Sequence, residues 1–340
     1  MLSRSTPTRG RPVVPLLLLT LLAGMALLCM TIGSYDLSAA EVIQTLFRGQ
    51  ASAAVSTAQL VVWEIRLPRI LAAVIFGIAL AMSGVVYQAL FRNPLVSPDI
   101  LGVSSGAALG AIAAIFLSWP VWAIYLNAFV AGLVVVALVW LIASRIKGTD
   151  PLLTMVLIGI VIGALAGSAT SLLKILADPY DQLPAMTFWL LGSLSGVARQ
   201  EIGLGVALIL IFALPLVMLR WRLNLLVLPD DDARSMGVNL QALRLLVVIC
   251  ATMMTACVVS MAGVVGWIGL LVPHVARLMV GSSLAVLLPT SALLGACLLL
   301  GIDTLARTLG TTETPLGVLT AIIGAPVFIA ALLHARRQAV

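Results

Sequence analysis

Apolar residues along this chain neither alternate with polar ones nor recur on one helical face. They run almost unbroken for about 20 positions at a time. The runs cover 13–33, 70–90, 100–117, 121–145, 152–174, 202–220, 240–262, 264–280, 284–306 and 315–335, with short connections rich in Gly, Pro and charge between them. A helix needs roughly 20 mostly apolar residues to cross the hydrocarbon core of a bilayer, so each run has the length of a span. Barrel strands alternate apolar and polar residues over about ten positions, a pattern absent here. The expected fold is therefore all-α: a polytopic membrane protein of about ten transmembrane helices, forming one domain over 1–340. Composition agrees, with 62% apolar and 9% charged residues, and ten spans leave almost no room for a soluble domain.

Two stretches echo each other at one offset. Ser83-Gly84-Val85-Val86 leads to Pro94, and Ala262-Gly263-Val264-Val265 leads to Pro273, each landmark displaced by 179 positions. A weaker echo joins Asp150-Pro151-Leu152 to Thr314-Pro315-Leu316, each followed by a helix carrying Ile-Gly, at Ile158-Gly159 and Ile323-Gly324. Repeats of this kind are common where a passage forms between related halves of a transporter. The reading is a repeat A over about 66–174 (helices 2–5) and a repeat B over about 240–335 (helices 7–10), with helix 1 peripheral.

Orientation follows from Lys and Arg, which are retained on the cytoplasmic side. With the N-terminus inside and ten spans, 13 of the 19 basic residues fall in cytoplasmic segments. Arg48, Arg66, Arg69, Lys174, Arg199 and Arg307 fall on the other face. Both termini are expected in the cytoplasm, and the repeat is then inverted. The run from 13 exceeds the 7–15 apolar residues of a signal peptide, so it is expected to be a retained first helix. Cys29, Cys250, Cys257 and Cys297 all fall inside spans without metal-ligand spacing, and read as buried small hydrophobes.

The connections differ in chemistry. Residues 34–65 and 175–201 are the longest external segments, and 220–244 is the largest internal one. Within it, Asp230, Asp231 and Asp232 suit the positive N-terminal end of a short helix, and Gly237 suits a left-handed C-cap. A polar helix with no core of its own is a candidate docking element for a cytoplasmic partner. On the outer face, Arg66, Arg69 and Arg307 stand at helix ends. They have two readings: pairing within the protein, with Asp303 and Arg307 spaced i, i+4, or binding the carboxylates of a partner through the guanidinium fork.

Absences narrow the function. The chain has no G-x-x-x-x-G-K-[ST] loop, so it does not bind ATP in the usual way. Asp303 is the one acidic residue well inside a run, so an ion-coupled secondary transporter, the rival class, has little of its usual machinery. No Ser/His/Asp set or paired carboxylates suggest an intramembrane enzyme. His274 follows Pro273, where helix hydrogen bonds are broken, and is expected to satisfy local backbone. No cofactor and no nucleic acid are expected.

Several motifs taken together carry a resemblance. Arg66-Leu67-Pro68-Arg69 is followed by Gly77-x-x-Leu80-Ala81-x-Ser83-Gly84-x-x-x-Gln88 and by Arg92-Asn93-Pro94-Leu95-x-x-Pro98-x-x-Leu101-Gly102. Then come Asp232-Ala233-Arg234-Ser235-Met236-Gly237-Val238, Gly266-Trp267-Ile268-Gly269-Leu270-x-x-Pro273-His274-x-x-Arg277, Asp303-x-x-Ala306-Arg307 and Pro315-x-Gly317-Val318. In this order they resemble the permease subunits of FecCD-type ABC importers for ferric siderophores, haem and cobalamin.

That resemblance implies two permease copies, identical or related, around a central pathway in the bacterial inner membrane, powered by two cytoplasmic ATPases and fed by a periplasmic binding protein. It implies coupling to the ATPase through Asp231, Ala233, Arg234, Ser235, Gly237 and Val238, within a segment 222–240. Arg66, Arg69 and Arg307 match arginines that hold acidic residues of the binding protein, which favours the partner reading. The turn Thr149-Asp150-Pro151 matches a cytoplasmic gate, and Gln88, Asn93, Pro94, Gly269, Pro273, His274, Arg277 and Asp303 match family motif positions. Two departures stand out: Gly281-Ser282-Ser283-Leu284 replaces an acidic-His-Arg segment, and Gly263-Val264-Val265-Gly266-Trp267 replaces G-P-I-x-F. The resemblance implies a metal chelate as cargo, with ferric siderophore ahead of haem, cobalamin or molybdate.

Overall fold

The computed structural model describes residues 13–33, 35–48, 56–146, 148, 150–197, 199–310 and 312–339; at 48, 332 and 334–339 it describes the backbone only. Among these residues the chain is helical, with no strands. In order the helices are α1 (Val13–Thr31), α2 (Ala39–Arg48), α3 (Thr57–Leu60), α4 (Leu67–Leu90), α5 (Val103–Phe116), α6 (Val121–Arg145) and α7 (Pro151–Leu176). Then follow α8 (Gln182–Leu191), α9 (Arg199–Met218), α10 (Asp230–Ser235), α11 (Leu240–Ala262), α12 (Ile268–Val280), α13 (Leu284–Thr308) and α14 (Leu316–Ala339). Seven helical stretches are long and apolar enough to cross a membrane. The helices α5 and α12, and α14 from Leu316 to Ala331, are shorter apolar helices of 10–17 residues. Together these account for the ten runs.

The second span begins earlier than its apolar run. A Ser56 cap, closed by a capping box with Gln59, opens α3. The π-helical turn Val61–Arg66 then carries α3 into α4 without a break, making one stretch from 57 to 90. Here the connection read as external loop is partly helix, because backbone amides at the membrane edge find partners within a helix most readily.

Helices apolar on every side must be covered by other helices or by lipid. The most apolar window of α4 is 83% buried and that of α11 is 78%, whereas α1 and α7 are 22% buried. The centre is therefore α4, held between α13, α11 and α12. The peripheral α1 lies against α13. Close approach comes from glycine. A Cβ on Gly77 would lie 2.7 Å from the carbonyl carbon of Gly295 on α13, and one on Gly84 equally near that of Gly269 on α12. Small residues allow such crossings where no water drives helices together.

Repeat lengths agree: α4 to α7 have 24, 14, 25 and 26 residues, and α11 to α14 have 23, 13, 25 and 24. Their registers correct the sequence expectation. The starts of α5 and α12 (103, 268) and of α7 and α14 (151, 316) are 165 apart, and those of α6 and α13 (121, 284) are 163 apart. The offset of 179 matches none of them. Gly84 is a mid-helix contact of α4, whereas Gly263 ends α11 at φ 70°, where its Cα hydrogens face Trp189 and Gly192. Pro94 lies in a connection, while Pro273 lies inside α12. The weaker echo holds the true register. Pro151 opens α7 and Pro315 immediately precedes α14, and a proline suits a helix start because its missing N–H is unpaired there anyway.

Candidate functional site

Polar chemistry concentrates at the two ends of the bundle. At one end, α4 and the last turns of α13 bring Arg69 and Arg307 to the Asp303 carboxylate, with Arg66 close by in the turn before α4. Arg69 donates from Nε to both Asp303 oxygens, at 2.9 and 3.1 Å, and from its other nitrogens to Glu313, at 2.5 and 3.2 Å. Arg307 approaches Asp303 at 3.7 Å and donates to the Cys29 carbonyl at 3.3 Å. Arg66 donates to the carbonyls of Met30, at 2.5 Å, and Tyr35. Asp303 is fully buried, and Arg66 and Arg69 are 3% and 6% exposed. The internal-pairing reading of these arginines is thus realised: the guanidiniums tie α1, α4, α13 and the start of α14 together. The terminal nitrogens of Arg66 and Arg69 are engaged within the protein, while Nε of Arg307 has no hydrogen-bond partner among the described residues. Buried arginines need such partners, since an unpaired charge at low dielectric is costly. Glu313, which sequence reading left aside, is the exposed member of this network, with 36% of its side chain accessible.

At the opposite end lies α10. Its three aspartates occupy the first turn, Ala233 is buried, and Gly237 closes it at φ 73°. Asp231, Arg234, Ser235 and Gly237 are exposed, and Val238 is half-buried. The segment is tied down by Asp230, a residue whose role the sequence concealed within an acidic run. Asp230 accepts from Arg92, just beyond α4, at 2.6 Å and from Arg244 on α11 at 2.8 Å. Arg92, in a left-handed conformation at φ 49°, also donates to the carbonyls of Leu226, at 3.0 Å, and Leu228. Partial burial pushes the Asp230 carboxyl up, but the bonds from Arg92 and Arg244 outweigh it and hold it below the usual carboxylate range. The short segment 222–240 therefore moves with α4 and α11.

Between the ends, α4 and α12 are joined through Gln88. Its Nε2 donates to the Leu270 carbonyl at 3.3 Å, and its Oε1 accepts from Arg277 at 3.0 Å. Asn93 accepts from the Leu95 amide at 2.9 Å, closing the turn that exposes Pro94. Gly269 faces Pro98 so closely that a Cβ would stand 2.6 Å from its ring. His274 forms no hydrogen bond to the backbone around Pro273. Its ring meets Phe328 on α14 edge-on at 5.6 Å. Of the gate residues, Asp150 caps α7 by accepting from the Leu152 amide at 2.9 Å, Pro151 is its first residue, and Thr149 lies outside the described residues. The four cysteines are buried and free, as expected.

The model of the FecCD transport family matches residues 18–334. The chain belongs to that family. It is 38% identical over 309 residues to the molybdate import system permease MolB of Haemophilus influenzae, covering 91% of each chain. With the hemin transport system permease HmuU of Yersinia pestis it shares 38% over 329 residues, covering 94% of this chain and 95% of that one. Among solved structures, a metal-chelate type ABC transporter in an inward-facing conformation superposes with a TM-score of 0.86 at 36% identity, covering 95% and 99%. A second, PsaBC of Streptococcus pneumoniae, shares the fold alone, at a TM-score of 0.53 and 16% identity. The protein is a multi-pass ABC importer permease of the FecCD family.

Proposed function

We propose that this permease moves a metal chelate, a ferric siderophore, from a periplasmic binding protein to the cytoplasm across a bacterial inner membrane. The family match over 18–334, in a chain without a phosphate-binding loop, carries this reading. ATP is hydrolysed by a separate pair of ATPase subunits. They engage the α10 end, where Asp231, Arg234, Ser235 and Gly237 are exposed, Val238 flanks them and Ala233 anchors the helix. A second permease copy completes the pathway against α7 and α14, whose faces carry exposed Leu157, Leu165, Ile322 and Ile329. Thr149, Asp150 and Pro151 form the gate at the α10 end, which faces the cytoplasm together with both termini. The excess of Lys and Arg in the segments at that end supports this orientation.

The binding protein docks at the Arg69 end. Because Arg66, Arg69 and Arg307 are already bonded inside the protein, they act in this reading by exchange. A partner carboxylate replaces the exposed Glu313 on Arg69, and the buried Asp303 stays in place. A molybdate-type oxyanion is the second reading of the cargo, favoured by the likeness to MolB.

Reconstitution with a matching ATPase pair and binding protein tests the proposal. Ferric siderophore uptake is expected only when all three components and ATP are present. Uptake without the ATPase would establish a secondary transporter instead, and stimulation by molybdate alone would select the second cargo.

A further inference from the structure

A cavity of about 590 Å³ opens at the Asp230 end, between the last turns of α6 and the first turns of α7 and α11. Its walls are mostly apolar, with Leu90, Trp140, Met155, Leu245 and Val248 among them. Among the described residues, its one charged lining residue is Arg244. One terminal nitrogen of Arg244 is held by Asp230, but Nε is buried in this wall with no hydrogen-bond partner. Asp230 is shared with Arg92, so two guanidiniums divide a single carboxylate and one positive charge is left over. The N-terminal end of α11, capped by the neutral Asn239, reaches the same cavity and adds partial positive charge, whereas that of α7 is already capped by the Asp150 carboxylate.

A partly buried, half-satisfied guanidinium at the rim of an apolar slot is a complement for an anion that carries its own hydrocarbon. We propose that this cavity binds an anionic glycerophospholipid of the adjoining leaflet, its phosphate on Arg244 and an acyl chain along α6 and α11. A free phosphate satisfies Arg244 but leaves the apolar walls bare, and a zwitterionic lipid fills the walls but brings no net charge. The bound lipid touches Pro151 and Leu152 at the start of α7, and through Arg244 it bears on the segment held by Asp230. This inference needs the chain to be in a membrane but does not rest on what the permease carries.

The test is native mass spectrometry of the full-length protein in detergent, titrated with dioleoylphosphatidylglycerol, dioleoylphosphatidylcholine or inorganic phosphate. One basic side chain near a membrane surface contributes about 1 kcal/mol toward an anionic lipid, so phosphatidylglycerol is expected to be retained about fivefold more tightly. Arg244→Gln should abolish that preference, and Arg244→Lys should keep it. Asp230→Asn, which frees Arg244 without removing it, should strengthen it and serves if Arg244→Gln does not fold. Leu245→Trp, at the partly exposed wall, should reduce retention of both lipids. Equal retention of the two lipids by the unaltered protein would overturn the proposal. So would inorganic phosphate competing as well as lipid, or an undiminished preference in Arg244→Gln.

Discussion

The crossing of α4 and α12 at Gly84 and Gly269 yields a prediction whose sign depends on tertiary contact. A Cβ added at Gly84 would lie 2.7 Å from the Gly269 carbonyl carbon and 2.9 Å from its Cα. Ordinary Cβ contacts begin at 3.4 Å, and the Gly269 carbonyl oxygen lies nearer than its carbon, so the two backbones must part by more than about 0.7 Å along a helix buried over most of its length. Neither side of the contact is a flexible side chain, so nothing but main chain can give way. Overpacking of this kind costs about 1–3 kcal/mol, and here the upper end applies. The gain in helix propensity from Gly to Ala returns up to about 1 kcal/mol. Gly84→Ala is therefore expected to destabilise by about 2 kcal/mol, roughly a thirtyfold shift in the unfolding equilibrium. Gly24→Ala is the control: Gly24 lies mid-helix in α1 with nothing within 4 Å of an added Cβ, so the same substitution should stabilise by up to about 1 kcal/mol. Equilibrium unfolding in mixed dodecylmaltoside and SDS micelles measures both. If Gly84→Ala unfolds at the same SDS fraction as the unaltered protein, or shifts the way Gly24→Ala does, the glycine-mediated crossing is not what sets the position of α4.

Removing the fully buried Asp303 carboxylate as Asp303→Asn leaves Arg69 and Arg307 with half their counter-charge, and should cost about 3–5 kcal/mol in the same assay. Glu313→Gln, at the exposed side of the network, should cost less than 1 kcal/mol. The Asp230 link favours the charged carboxylate. Its contribution is present above the ordinary carboxylate pKa of about 3.9 and fades as pH falls through the lower folded value, so hydrogen exchange in 230–239 should rise below about pH 4. Asp230→Asn should show that faster exchange at every pH. With about a third of the side chain exposed, screening keeps the effect modest. Gly237→Val places a β-branched residue at φ 73° and should cost about 1–2 kcal/mol locally. On the proposed function it should leave ATPase activity in place while uptake falls, and normal uptake would remove α10 from the coupling path.

Much of this protein is legible from its sequence because the bilayer imposes local rules. Each span must satisfy its own backbone within one apolar helix, so the ten runs locate the ten helices without any knowledge of their neighbours. Proline and aspartate marked the start of α7, and the acidic run with Gly237 marked α10, because capping is decided by residues a few positions apart. Membership of the FecCD family was likewise readable in the order of its motifs. What joins the helices was not. Arg69 and Asp303 are 234 positions apart and Arg92 and Asp230 are 138 apart, and no short-range pattern couples them. The internal bonds of the arginines, the hub at Asp230 and the Phe328 contact of His274 all turned on such distant contacts. So did the repeat: the louder echo, at Gly84 and Gly263, compared a helix crossing with a helix end. The same Gly-Val-Val tripeptide serves both because glycine lacks a Cβ, which permits close approach in one place and a positive φ in the other, and only the packed neighbours decide which of the two is used.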